Sequence, residues 1–103
     1  MFYTFYQNNS GGYTIENDDV AEFVIIEANS DKEAINKIKK ITKNYMEYCP
    51  CCGERWDFSL EELQESKYIV PSIFGEPITK ISRFGYIIYY LNGEIERSVE
   101  EEF

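Results

Sequence analysis

The chain has 103 residues, with nineteen acidic against ten basic side chains, a net charge of −9, three cysteines and no histidine. That length gives one small domain, residues 1–103, with a thin core, and that charge disfavours nucleic acid and acidic membranes as partners. The missing histidine excludes Ser-His-Asp and Cys-His nucleophilic sites and His-x-x-x-His metal sites.

Phe2-Tyr3-Thr4-Phe5-Tyr6 is aromatic and β-branched, and reads as a first strand. The opening residues lack the basic, apolar and cleavage elements of a secretion signal, so an intracellular protein is expected. Asn8-Asn9-Ser10-Gly11-Gly12 is a polar turn whose glycines permit positive φ. It is also a candidate backbone nest for an anionic ligand, with a plain hairpin turn as the simpler reading. Tyr13-Thr14-Ile15 is short enough for a brief strand or part of a wide loop.

From Val20 to Ala28 a strand is predicted. Val20, Val24, Ile26 and Ala28 fall on one face and Phe23 and Ile25 on the other, as in a strand covered on both sides. Ser30-Asp31-Lys32-Glu33 is a capping box that opens a helix running to about Lys43. Ala34, Ile38, Ile41 and Tyr45 form its apolar stripe, with Lys32, Lys39 and Lys43 opposite. Five of the seven lysines lie in residues 31–43, which hold only two acids. The rest of the chain therefore keeps seventeen acids against five bases, a charge of −12 that favours basic partners. The lysines read as the solvent face of a helix packed on a sheet rather than as a nucleic-acid patch.

Residues 48–58 read as irregular and carry the cysteines. Ser59-Leu60-Glu61-Glu62 is a second capping box, before a short helix that frays near Lys67. Pro71, Gly75 and Pro77 make a loop. The chain closes on a predicted hairpin over residues 83–99, with Asn92-Gly93 as a two-residue type I′ turn. Tyr86, Ile88 and Tyr90 share one face, with Ile87, Tyr89 and Leu91 on the other. The last residues, Glu100-Glu101-Glu102-Phe103, read as a solvated tail. The expected fold is α+β: a small, mostly antiparallel sheet, one main amphipathic helix packed on it, a second short helix and a C-terminal β-hairpin. The sheet face away from the main helix is expected to be tyrosine-rich and partly open. No apolar run approaches the ~20 residues that span a bilayer.

Cys49-Pro50-Cys51-Cys52-Gly53 is the chemically loaded segment. Cys49 and Cys52 have the spacing of half a zinc ribbon, with the glycine letting the knuckle turn back. Four ligands need more than this pair, and Cys51 is a weaker third candidate. Glu54, Asp57 or a second copy of the chain, in a homodimer, would have to finish the site. A reduced structural turn weighs most, bound zinc next, and a redox or reactive thiol least. Neither a Walker A segment nor a Gly-x-Gly-x-x-Gly pattern occurs. The glutamates stand in exposed runs that read as solvated surface, so the chain is expected not to be an enzyme.

Phe2 to Gly12 together with Cys49-Pro50-Cys51-Cys52-Gly53-Glu54-Arg55-Trp56 resembles a family of small bacteriophage proteins of unknown function. The resemblance covers about the first 58 residues. It implies phage origin and a host bacterial cytoplasm, and it carries over no activity. The expected function is a non-catalytic accessory protein that binds and modulates or inhibits a host protein, such as a defence or nucleic-acid enzyme. It would do so through acidic, tyrosine-rich surface, with Tyr86, Tyr90, Glu100, Glu101 and Glu102 as candidate partner contacts. A protein that sequesters a nucleotide signal, using the Asn8–Gly12 loop, and a minor virion or assembly component are the alternatives.

Overall fold

The computed structural model describes residues 1–7, 19–43, 48–49, 53–54, 56, 67–73, 76–78 and 85–98. In chain order the elements are β1 (Phe2–Tyr6), β2 (Phe23–Glu27), α1 (Asp31–Thr42), β3 (Tyr48–Cys49), β4 (Gly53–Glu54), β5 (Lys67–Tyr68), β6 (Ser72–Ile73), β7 (Glu76–Pro77), β8 (Tyr86–Tyr89) and β9 (Ile95–Arg97). Five of the strands make one sheet in the order β5-β1-β2-β8-β9. β1 runs antiparallel to β2 and to β5, and β9 antiparallel to β8. The central pair, β2 and β8, is parallel, with Phe23 opposite Tyr86 and Ile26 opposite Tyr89.

This overturns the expected α+β, mostly antiparallel domain with two helices. The sheet is mixed, and α1 is the one helix among the described residues. The predicted second helix falls on residues 59–66, outside the described residues; Lys67, where it was to fray, begins β5. The parallel pair has a physical logic. A strand that leads into a helix comes back to its sheet most readily in the same direction, through a long crossover.

β2 is central because it can bury both faces. Phe23, Val24, Ile25 and Ile26 are all at most 3% exposed, a continuous apolar run rather than an alternating one. On one face Val24 and Ile26 join Tyr3, Phe5, Ile87 and Trp56, and Ala34 and Ile38 of α1 pack onto them. Ser30 caps the helix as its sequence predicts, its Oγ accepting from the Glu33 amide at 3.1 Å. Asp31 and Glu33 in the first turn and Lys39 and Lys40 in the last suit the helix dipole. Lys32, Lys39 and Lys43 are exposed as predicted, and Ile41 is half-buried; Tyr45 lies outside the described residues.

The other sheet face was expected to be partly open, and it is covered instead. Phe23, Ile25, Tyr86 and Ile88 pack there with Ile73, flanked by Phe2, Ile78 and Tyr90. The cover is the β6–β7 ladder, where Pro71, Gly75 and Pro77 had read as plain loop. Thr4 Oγ1 donates to Ser72 O at 2.6 Å and fastens that ladder to β1.

Residues 48–58, expected to be irregular, contain a further ladder. Tyr48 pairs with Glu54 and Cys49 with Gly53, while Trp56 bridges to Gln7 beyond the end of β1. Trp56 is fully buried and its indole N–H has no hydrogen-bond acceptor among the described residues, an arrangement that costs about 1–3 kcal/mol. The bulk of a buried Trp ring outweighs that loss.

Candidate functional site

The C-terminal hairpin forms one residue out of the expected register. Asn92-Gly93 as a two-residue turn would set Leu91 opposite Glu94. The observed ladder sets Tyr89 opposite Ile95 and Ile88 opposite Glu96, so Leu91, Asn92 and Gly93 form a three-residue connection. The Gly93 amide donates to Tyr90 O at 3.1 Å, and Gly93 takes φ +92°. This is a turn followed by a left-handed residue, the bulged alternative to type I′. Asn92 Oδ1 accepts from the Glu94 amide at 2.9 Å, satisfying a donor that the two-residue turn would have used in the ladder.

Three tethers hold the turn end of this hairpin. The Leu91 amide donates to Glu27 Oε1 at 3.0 Å. The Tyr89 hydroxyl donates to the Asp19 carbonyl in a short bond. The Tyr90 ring meets Phe2 edge-on, with centroids 6.0 Å apart and planes at 86°. Burial raises the Tyr90 phenol pKa above the ordinary value, and the carboxylates of Glu96 and Glu27 push the same way.

Beyond these tethers the hairpin is open. Residues 91 to 97 are all exposed, Leu91 at 44% and Ile95 at 55%. Ile95 shares the helix-side face of the sheet with its partner Tyr89, while Glu96 lies beside Tyr86 and Tyr90 on the other face. β9 is the outermost strand of the sheet.

A cleft of about 340 Å³ opens between this hairpin and α1, lined by Lys37, Lys40, Ile41, Tyr89, Tyr90, Leu91 and Gly93. Lys37 Nζ is held at its edge by Glu33 Oε1 at 3.4 Å and by the Glu27 carbonyl at 3.2 Å.

Of the residues the sequence singled out, Tyr90 stands at the cleft, half-buried. Tyr86 does not reach the surface: it is 1% exposed in the second core, so its ring packs rather than meets a partner. Strand alternation showed which residues Tyr86 sides with, not that β6 covers that side. Cys49 is placed by its backbone alone, in β3. Cys51, Cys52, the Asn8–Gly12 turn and Glu100, Glu101 and Glu102 lie outside the described residues. Among the described residues no group of three or more His, Cys, Asp or Glu is placed to hold a metal ion.

Sequence reasoning missed Lys37, Lys40, Tyr89, Leu91 and Ile95 as site residues. A signal for the first two was present: Lys37, Lys40 and Ile41 have i, i+3, i+4 spacing and share a helix flank beside the apolar stripe.

Among the described residues, fold and surfaces together define a small mixed-sheet domain with one amphipathic helix and an open C-terminal hairpin. The chain belongs to the family described as Domain of unknown function (DUF7296), whose family model matches residues 1–102. Neither a curated protein nor a solved structure matches it. No helix among the described residues is long and apolar enough to cross a membrane.

Proposed function

We propose that the chain is a non-catalytic binding domain that occupies a basic protein partner through its C-terminal hairpin. From the bacteriophage resemblance, that partner is a host protein and the compartment a host bacterial cytoplasm. One observation carries the reading: Leu91 and Ile95 stand exposed on a rigidly tethered hairpin at the sheet edge, beside Glu94 and Glu96. Apolar anchors with a charged rim are the usual anatomy of a protein interface.

The edge strand adds a backbone component. Tyr90 N–H donates to Glu94 O at 2.9 Å and Ser98 N–H to Tyr86 O at 3.0 Å. By alternation the peptide group of Ile95 points away from β8, where an added strand of the partner would meet it. The net charge of −9 supports a basic partner, since a field of that sign raises the encounter rate with positive proteins.

A pull-down from host lysate with tagged parent protein, followed by binding kinetics on the recovered partner, tests this. The doubly substituted Leu91→Asp/Ile95→Asp protein is expected to lose the partner, while Lys39→Gln keeps it. Association should slow as salt rises, because charges are screened beyond about 8 Å at physiological ionic strength. A partner retained by the double variant, bound at a rate indifferent to salt, defeats the proposal.

A further inference from the structure

The cleft between α1 and the hairpin has a different chemistry from the rest of this acidic molecule. Two of its seven lining residues are lysines, drawn from residues 31–43, which hold five lysines against two acids. Lys37 is held by Glu33 and the Glu27 carbonyl, which use two of its three ammonium donors. Lys40 is exposed and has no ion pair among the described residues. The remaining wall is mostly apolar or aromatic: Ile41, Leu91 and Tyr89, with Tyr90 at the strand edge while its ring packs on Phe2 on the other sheet face.

The acids that approach this place already have partners, which leaves Lys40 as the lining cation without an ion pair among the described residues. Glu33 pairs with Lys37, Glu27 Oε1 accepts the Leu91 amide, and Glu96 accepts the Tyr90 hydroxyl at 3.5 Å. The Tyr89 ring face alone would welcome a cation, but two ammonium groups at the rim oppose one. An anionic group with a flat, apolar body satisfies both halves of the lining. At about 340 Å³ the cleft is at the small end of ligand sites, which suits a one- or two-ring molecule rather than a peptide or a dinucleotide.

We infer that this cleft binds a small aromatic organic anion, its negative group at Lys37 and Lys40 and its ring between Ile41, Leu91 and Tyr89. The site shares Leu91 with the hairpin surface, while Ile95 and β9 do not line it.

Indole-3-acetate and its neutral amide, indole-3-acetamide, are the probes, titrated into the isotope-labelled full chain and followed by the backbone amide signals of Ile41, Leu91 and Gly93. The acid should shift these signals saturably and bind about two- to fivefold more tightly than the amide, the range of an exposed ion pair. Lys40→Gln should bring the acid down toward the amide without weakening the amide, and Lys32→Gln, on the opposite helix face, should change neither. Ile95→Asp should leave the titration intact even where it abolishes partner binding, which separates failure here from failure of the hairpin interface. Equal affinity for acid and amide, equal effects of Lys40→Gln and Lys32→Gln, or shifts that do not saturate at the cleft amides would each overturn the inference.

Discussion

Replacing Ile38 by alanine probes the contact on which the whole architecture depends, that of α1 with the sheet. Ile38 is fully buried in one cluster with Val24, Ile26, Ala34, Trp56 and Ile87. The change deletes three carbons, worth about 2.4 kcal/mol at roughly 0.8 kcal/mol each. A cavity that did not collapse would add up to about 2 kcal/mol, for a lost volume of roughly 80 Å³ at about 24 cal/mol per Å³. Alanine is the better helix former and returns about 0.4 kcal/mol. The net loss is about 2–4 kcal/mol, a large share of the roughly 5–15 kcal/mol that holds a domain folded. Urea unfolding followed by circular dichroism measures it, with the exposed Lys39→Ala as control, expected within about 0.5 kcal/mol of the parent. An Ile38→Ala loss below about 0.5 kcal/mol, or one matching the control, would refute the helix-on-sheet packing.

High pH should weaken the fold through its tyrosines. Burial, the Asp31 hydrogen bond and the charges of Asp31 and Glu33 raise the Tyr3 pKa, while burial and Glu96 raise those of Tyr86 and Tyr90. The folded chain then keeps protons that the unfolded chain releases as pH passes the ordinary value of 10.0, so this stability is complete below that value and is lost as pH rises through the folded values. The urea midpoint should fall between about pH 9 and pH 11 together with the phenolate absorbance; a flat midpoint over that window contradicts the buried phenols. The reading of Cys49 to Cys52 as a reduced turn predicts less than about 0.2 equivalents of zinc in protein purified without a histidine tag, and melting unchanged by chelator. Zinc near half an equivalent per chain would instead mean a site shared by two copies.

Where local chemistry decides structure, the sequence was readable. Ser30 and Glu33 are three apart with an apolar stripe behind them, and the cap forms as written. The alternation of Val24 and Ile26 against Phe23 and Ile25 divides the two cores correctly. What escaped is what depends on distant chain. Nothing local to Val24 states that Ile87 will lie beside it in parallel, although four consecutive buried apolar residues in β2 were a hint of a central strand. The hairpin register failed for a subtler reason. Asn-Gly serves both the two-residue turn and the bulged three-residue one, and Asn92 capping Glu94 with Leu91 tied to Glu27 favours the second. The candidate site inherits that choice, since the register puts Ile95 on the helix side with Tyr89.

The tethers at the turn end of the hairpin bear on both proposed surfaces at once. Side-chain ordering costs about 0.5–1.5 kcal/mol for each mobile group fixed on binding. Here Tyr89 is already bonded to Asp19, Tyr90 packed on Phe2 and the Leu91 amide held by Glu27, so much of that ordering is complete before any partner arrives. Leu91 belongs to both surfaces, as the wall of the cleft and as an apolar anchor of the hairpin. An anion that draws its side chain inward would therefore change what a protein partner finds outside. Linkage requires the effect to be reciprocal: whatever factor the anion imposes on the partner's affinity, the partner imposes on the anion's. With Leu91 as the shared element, an Ile95 substitution should alter partner affinity alone, while a Leu91 substitution should alter both and diminish the coupling between them.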